Sequence, residues 1–280
     1  MSPRSRPFAQ VDVFTAEPLK GNPLAVVVDG TGLDETQMQA FARWTHLSET
    51  TFLLPPTLPG ADYRVRIFTP GGELPFAGHP TLGSAHVWLQ HGGVPRTPGR
   101  VVQECAIGPV TLRLDGERLA FAAPPLVRSG PVPADMRAQV ARSLRVADAE
   151  LLDVVWVDNG PQWVAAQLRS AQDVLDLQPD FAAMQGLKLG VVGAYPAGHA
   201  LQFEVRAFVP DIGVPEDPVT GSLNAGLALW LIDSGQAPSH YIASQGAALQ
   251  RAGRVHVSRE QGHTWIGGDV VTLVQGQVWL

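Results

Sequence analysis

Arg66-Ile67-Phe68-Thr69-Pro70, with Pro75 beyond it, returns as Arg206-Ala207-Phe208-Val209-Pro210, with Pro215 beyond it, about 140 residues later. A turn follows each copy: Gly78-His79-Pro80-Thr81-Leu82 in the first, Asp217-Pro218-Val219-Thr220-Gly221-Ser222-Leu223 in the second. An apolar helical stretch follows both turns, expected over Thr81 to Gln90 and over Ser222 to Asp233. Identities recurring at one constant offset, ahead of similar helix openings, read as an internal duplication. A period this long is domain-sized, far beyond solenoid or propeller repeats. The expectation is two pseudo-symmetric domains, residues 1–122 and 123–280, with the last strand able to return to the first domain. They are expected to face each other across a cleft, both polar turns lying at helix N-termini, where unpaired backbone N–H groups favour an anion.

Working outward, period-2 patterns bounded by turn residues place strands at Val11 to Phe14, Leu24 to Val28, Thr50 to Leu54 and Tyr63 to Phe68. Further strands are expected at Arg100 to Ala106, Val110 to Leu114 and Leu119 to Ala122, then at Val154 to Val157, Trp163 to Leu168 and Gln202 to Phe208. Val255 to Ser258, Thr264 to Gly267 and Val270 to Gln275 close the chain. A helix from about Asp34 to His46 carries Asp34 and Gln37 at capping-box spacing, and another runs from Ala134 to Arg145. Pro124-Pro125, Pro131 and Pro133 mark the expected crossover between domains. Many short strands with one strongly apolar helix per half give an α+β class: a curled, mostly antiparallel sheet around a central helix, in duplicate.

With 280 residues the chain has room for two cores, and 45% hydrophobic with 16% charged residues is ordinary for a globular protein. A net charge of -6, with no basic run interleaved with aromatics, argues against nucleic acid. No stretch approaches the roughly 18 apolar residues of a membrane span, and a strand pattern stands where a signal peptide needs an apolar core. A cytoplasmic location is expected. A single cysteine, Cys105, excludes an intramolecular disulfide and a cysteine-based metal cluster, and it reads as a buried strand residue.

Several side chains admit a chemical and a structural reading. Glu49, in Leu47-Ser48-Glu49-Thr50-Thr51-Phe52, lies in a sparsely charged setting of the kind that raises a carboxyl pKa toward acid/base use; alternatively it makes an ordinary helix-end contact. His79 reads either as a donor to substrate or as a turn histidine bonded to backbone. Asp217, Thr220 and Ser222 are residues that N-caps prefer, and as the partner of the His79 turn they read as a ligand site. Arg66 and Arg206 read as matched salt bridges more readily than as anion ligands. Asn22-Pro23 and Asn159-Gly160-Pro161 form a possible matched turn pair, and His86 reads as packing. No Gly-x-Gly-x-x-Gly, Walker loop or Gly-x-Ser-x-Gly elbow is present.

The Glu49 segment, the run Glu73-Leu74-Pro75-Phe76-Ala77-Gly78-His79-Pro80-Thr81-Leu82-Gly83, and the run Glu216-Asp217-Pro218-Val219-Thr220-Gly221-Ser222 together resemble the signatures of the PhzF family of phenazine-biosynthesis-like proteins. Val11-Asp12-Val13-Phe14-Thr15, Gly21-Asn22-Pro23, Gln245-Gly246 and Arg251-Ala252-Gly253 extend the resemblance over nearly the whole chain. It implies the diaminopimelate-epimerase-like fold, with the active site between two domains, and a cytoplasmic homodimer acting on a small-molecule carboxylate. It also implies a metal-free and cofactor-free isomerase in which a Glu moves a proton within a compound such as trans-2,3-dihydro-3-hydroxyanthranilate. The resemblance places that general acid/base on Glu49 and substrate-holding roles on His79, Asp217 and Ser222, with Gly78 and Gly221 beside them. Racemases of this fold use two cysteines, one per half-site; Cys105 lies outside both turns, which excludes two-thiol racemisation. Leu223-Asn224-Ala225-Gly226 departs from the phenazine enzyme, which carries smaller residues there, so Leu223 and Asn224 are expected to line or support the pocket and to bear on substrate choice. The alternative is a family member that binds small acids or a protein without catalysis.

Overall fold

The computed structural model describes residues 3–116, 118–212 and 214–280. The chain divides into two compact units, Met1–Ala122 with Gly267–Leu280, and Ala123–Ile266.

The first unit contains β1 (Ser5–Val13), β2 (Asn22–Val27), α1 (Glu35–Thr45), β3 (Glu49–Leu54), β4 (Tyr63–Phe68), β5 (Glu73–Leu74), α2 (Gly78–Gln90), β6 (Arg100–Cys105), β7 (Gly108–Asp115) and β8 (Arg118–Ala122). The second contains β9 (Arg128–Pro131), α3 (Ala134–Leu144), β10 (Asp153–Asp158), β11 (Trp163–Gln167), a short α4 (Ala171–Leu175), β12 (Lys188–Ala194), β13 (Phe203–Val209), β14 (Val214–Asp217), α5 (Gly221–Asp233), β15 (His240–Gln245) and β16 (Gly253–Glu260). Through β17 (His263–Gly268) the chain reaches β18 (Val270–Trp279), which pairs antiparallel with β1 in the first unit.

The pairing pattern repeats. In the first unit β1 pairs antiparallel with β2, β2 parallel with β3, β3 antiparallel with β4, and β4 parallel with β6, while β5 lies antiparallel on the far end of β4. In the second, β10, β11, β12, β13, β15 and β14 reproduce those relations in the same order. Most pairings are antiparallel, and each sheet wraps one apolar helix, α2 or α5. Nine residues of α2 are buried, among them both Gly78 and His79, so this helix has no wet face to speak of.

β2 (Asn22-Pro23-Leu24-Ala25-Val26-Val27) has both faces covered, and its nearly continuous apolar run follows from that. On one face Val27 joins Met38, Phe41, Ala42, Phe52 and Phe68 under α1. On the other, Leu24 reaches α2, where a Cβ on Gly83 would meet Leu24 Cδ2 at 2.6 Å. Gly226 occupies the same place in α5: a Cβ there would lie 2.4 Å from the Val157 carbonyl oxygen of β10. Glycine at both positions lets helix and strand approach closely. The second core gathers Val140, Leu144, Val154, Trp156, Val174, Met184, Leu189 and Phe208.

α1 begins with the expected capping box: Gln37 N donates to Asp34 Oδ1 at 2.8 Å and Asp34 N to Gln37 Oε1 at 3.0 Å. Two sequence expectations are corrected. The first helix begins at Gly78, not Thr81, so His79 belongs to its opening turn; Pro80 is tolerated there because first-turn N–H groups lack an intrahelical partner anyway. The repeat also shifts register after its strands, because the second copy carries three additional residues before Glu216. Phe68 pairs with Glu73 and Phe208 with Glu216, so Pro75 corresponds to Pro218 rather than to Pro215. The matched arginines confirm it, since Arg66 Nη2 lies 2.6 Å from Glu73 Oε2 and Arg206 Nη2 lies 2.8 Å from Glu216 Oε2.

Candidate active site

In the first unit, α1 ends at His46 in the left-handed conformation (φ 55°), which turns the chain so that Glu49 opens β3 beside Leu24 of β2. Glu49 and His79 are brought together: Glu49 Oε2 lies 3.2 Å from His79 Nε2, with 13% and 5% of the two side chains exposed. The approach is close but lacks the alignment of a hydrogen bond. Asn22 stands on the other side of the ring, its Nδ2 3.3 Å from His79 Nδ1, and its Oδ1 accepts from Ser48 Oγ at 3.3 Å. Asn22 is fixed by its neighbour, because Gly21 N donates to the buried Asp12 Oδ2 at 3.0 Å and a Cβ on Gly21 would strike the Val13 carbonyl oxygen. Burial drives the His79 imidazole down to about 3, against the Pro23 carbonyl, which works the other way. His79 is therefore a neutral imidazole at any ordinary pH. His86, further along α2, places Nε2 3.0 Å from Thr272 Oγ1 within the same unit and packs as expected.

The second unit assembles Asp217, Thr220, Gly221 and Ser222 around the start of α5. Thr220 occupies the N-cap position of α5 but makes no side-chain capping bond. Its Oγ1 donates to Asp217 Oδ2 at 2.6 Å and accepts from Gln245 Nε2 at 2.9 Å. Gln245, fully buried on β15, also donates to the Asp217 carbonyl at 3.1 Å and accepts from Thr220 N at 3.0 Å and Asn224 Nδ2 at 2.8 Å. Every donor and acceptor of that amide is thus used, and an amide so placed is costly to replace. Leu223 is buried against Gly190 and Asn224 is bound to Gln245, so these two residues support the turn from the core rather than line an open surface. The matched ion pair of Arg206 with Glu216 holds the strand residue just before Asp217.

A second clamp holds Ser222. Asp158 Oδ1 accepts from Gly160 N and Gln162 N, both at 2.7 Å, and so tightens the Asn159-Gly160-Pro161-Gln162 turn. From that turn Asn159 Nδ2 donates to the Ser222 carbonyl at 2.8 Å, and Trp163 Nε1 donates to Ser222 Oγ at 3.0 Å. Sequence reasoning singled out Asn159 as a turn residue and Thr220 at the start of α5, and missed Trp163 and Gln245 as supports. Gln245-Gly246 was at least part of the family pattern, while an isolated Trp opening a strand carries no such signal. Among the described residues no group of three or more His, Cys, Asp or Glu side chains is placed to hold a metal ion. Cys105 is buried on β6, its thiol donating to the Gly108 carbonyl.

The model of the phenazine biosynthesis-like (PhzC-PhzF) proteins matches residues 11–276. The chain belongs to this family. Among its relatives, a trans-2,3-dihydro-3-hydroxyanthranilate isomerase of Pseudomonas fluorescens is 34% identical, over 82% of this chain and 81% of that one. The antisense-enhancing sequence 1 protein of Schizosaccharomyces pombe is likewise 34% identical, over 98% of each. Of solved structures, a PhzF-family protein from Enterococcus faecalis superposes with a TM-score of 0.82 at 26% identity, covering 99% of this chain and 100% of that one. The fold extends to a probable proline racemase from Agrobacterium radiobacter K84, with a TM-score of 0.61 at 13% identity, covering 98% and 92%. The PhzF fold, also that of the proline-racemase and diaminopimelate-epimerase type, is the architecture described above. No helix of the described residues is long and apolar enough to cross a membrane.

Proposed function

We propose that this chain is an isomerase of small cyclic or amino-acid-like carboxylates, with Glu49 as the general acid/base that moves a proton between two carbons. The observation that carries it is the Glu49–His79 pair, a carboxyl beside a neutral imidazole, both largely buried, at the opening of α2. A neutral imidazole does not hold the carboxyl in an ion pair, as an imidazolium would. In the proposed step Glu49 takes a proton as one C–H bond breaks and the electron pair shifts across the adjacent double bond. The same carboxyl then gives the proton to the far carbon, so no oxidant, reductant or cofactor is consumed. The isomerase name of the Pseudomonas fluorescens relative supports this reading.

The proposal assigns substrate contacts to Gly78 and His79 in the first unit and to Asp217, Gly221 and Ser222 in the second. Its test is proton NMR of trans-2,3-dihydro-3-hydroxyanthranilate in deuterium oxide, with the wild-type protein and with Glu49→Gln. Rearrangement by the wild type, slowed by about 10² to 10⁴-fold in the variant, is the expected result. Equal rates for the two proteins would remove Glu49 from the mechanism. Saturable binding with neither rearrangement nor deuterium uptake would favour a non-catalytic binding role.

A further inference from the structure

We infer that Trp163 is a positioning residue that directs the Ser222 hydroxyl proton toward the substrate. The inference rests on the isomerase reading above and adds to it the orientation of one group. Trp163 is buried (3% exposed), and its indole nitrogen can only donate. In the 3.0 Å contact with Ser222 Oγ, the serine oxygen is therefore the acceptor. A hydroxyl has a single proton, and no side chain or backbone oxygen among the described residues receives it. With the indole N–H occupying one lone-pair direction, that proton is aimed away from Trp163, on the partly exposed side of Ser222. Such a group favours an acceptor on the ligand, a carboxylate or carbonyl oxygen, over a donor such as an ammonium.

The rest of the clamp supports this role. Asn159 fixes the serine backbone through its carbonyl, Asp158 fixes the turn that carries Asn159, and the indole N–H restrains where the serine oxygen sits and turns its proton away. A hydroxyl prepared in this way loses less entropy when it meets its ligand than one free to rotate. The Glu49–His79 pair needs nothing from Trp163 for proton transfer, so the indole contributes to binding and not to the chemical step.

The test is steady-state kinetics with trans-2,3-dihydro-3-hydroxyanthranilate for the wild type, Trp163→Phe, Ser222→Ala and the double variant. Loss of one hydrogen bond's orientation predicts a KM raised by about 3- to 10-fold in Trp163→Phe, with kcat within about twofold. Because the indole acts through the serine, Trp163→Phe on the Ser222→Ala background is expected to change KM no further. An unchanged KM in Trp163→Phe, or an undiminished effect in the absence of the serine hydroxyl, overturns the inference. If Trp163→Phe does not fold, site-specific replacement of Trp163 by 3-benzothienylalanine, which puts sulfur in place of the N–H in the same ring shape, answers the question under the same criteria. Failure of the isomerase reading looks different: the wild type itself then neither converts nor binds the compound, and the inference falls with it.

Discussion

His79 Nε2 stands 3.2 Å from Glu49 Oε2, and burial keeps the ring neutral, with its pKa down at about 3. A neutral imidazole and a carboxyl group are thus held side by side. Buried ion pairs are rigid and expensive to desolvate, and a neutral imidazole is not the cationic half of such a pair. Asn22, braced by Ser48, secures the opposite edge of the imidazole, so the ring is oriented by an amide rather than by a charge.

The first prediction concerns stability against pH. The His79 pKa is lower in the folded chain than in the unfolded chain, where it lies near 6.5, so the unfolded state binds the additional proton. The stability held by the neutral ring is complete above pH 6.5 and is lost as pH falls from there toward 3, at no more than about 1.4 kcal/mol per pH unit. Urea unfolding at pH 7 and pH 5 should show the wild type losing up to about 2 kcal/mol more than His79→Gln. Parallel losses in the two proteins would mean that His79 is solvated and able to charge in the folded state.

The two matched arginines predict unequal costs. Arg206 and Glu216 have side chains 5% and 7% exposed, and Arg206 also donates to the Val174 and Leu177 carbonyls; Arg66 and Glu73 are 19% and 30% exposed. Arg206→Met strands a buried carboxylate and should cost about 3–5 kcal/mol, while Arg66→Met should cost about 1 kcal/mol or less. Adding Glu216→Leu to Arg206→Met should recover part of the loss. Equal melting temperatures for the two single variants would contradict the difference in burial.

Gln245→Glu changes one atom's chemistry at nearly constant shape. The introduced carboxylate has no N–H for Thr220 Oγ1 or for the Asp217 carbonyl, and its charge faces both acceptors in the interior. The expected loss is about 2 kcal/mol or more at pH 7, narrowing at pH 5 as the new group takes a proton. Thermal unfolding at the two pH values reads it, and a variant as stable as the wild type at pH 7 would show that the amide is not the hub of the turn.

The sequence carried the duplication because Arg66, Phe68 and Pro70 do the same physical work as Arg206, Phe208 and Pro210: each arginine lies 5.0 Å over the phenylalanine two residues on and pairs with the glutamate of the next short strand. Pro215 misled the alignment, since three additional residues precede Glu216 and only strand pairing reveals them. Gly78-His79-Pro80 reads as a turn on local propensity, yet burial on nearly all sides makes it helix. β9, β12 and β15 escaped notice for a related reason: Arg128-Ser129-Gly130-Pro131 looks like a proline-rich crossover, β12 carries two glycines, and β15 ends in Ala-Ser-Gln. These are strands by pairing with neighbours rather than by propensity. Glu49, His79, Asp217, Thr220 and Ser222 could be singled out from the sequence because they sit in recognisable motifs. Trp163 could not, because its contact with Ser222 exists only across the fold.

The last prediction separates the two close helix–strand approaches. Gly83 and Gly226 occupy matching positions in α2 and α5, and alanine would favour the helix at either by about 1 kcal/mol. At Gly83 a methyl would meet the ends of side chains, Leu24 Cδ2 at 2.6 Å and Val13 Cγ2 at 3.0 Å, which can rotate aside. At Gly226 it would meet the Val157 carbonyl oxygen at 2.4 Å, a backbone atom held in β10. Gly226→Ala must therefore push α5 away from β10, and overpacking of that kind costs about 1–3 kcal/mol. Gly83→Ala should cost clearly less. Since Ser222 sits one turn before Gly226 and is gripped by Asn159 and Trp163 from the β10–β11 side, the displacement should also loosen that grip. Gly226→Ala is then expected to raise KM for trans-2,3-dihydro-3-hydroxyanthranilate as well as lower the melting temperature. A Gly226→Ala protein as stable as Gly83→Ala would mean that α5 lies further from β10 than the Val157 contact requires.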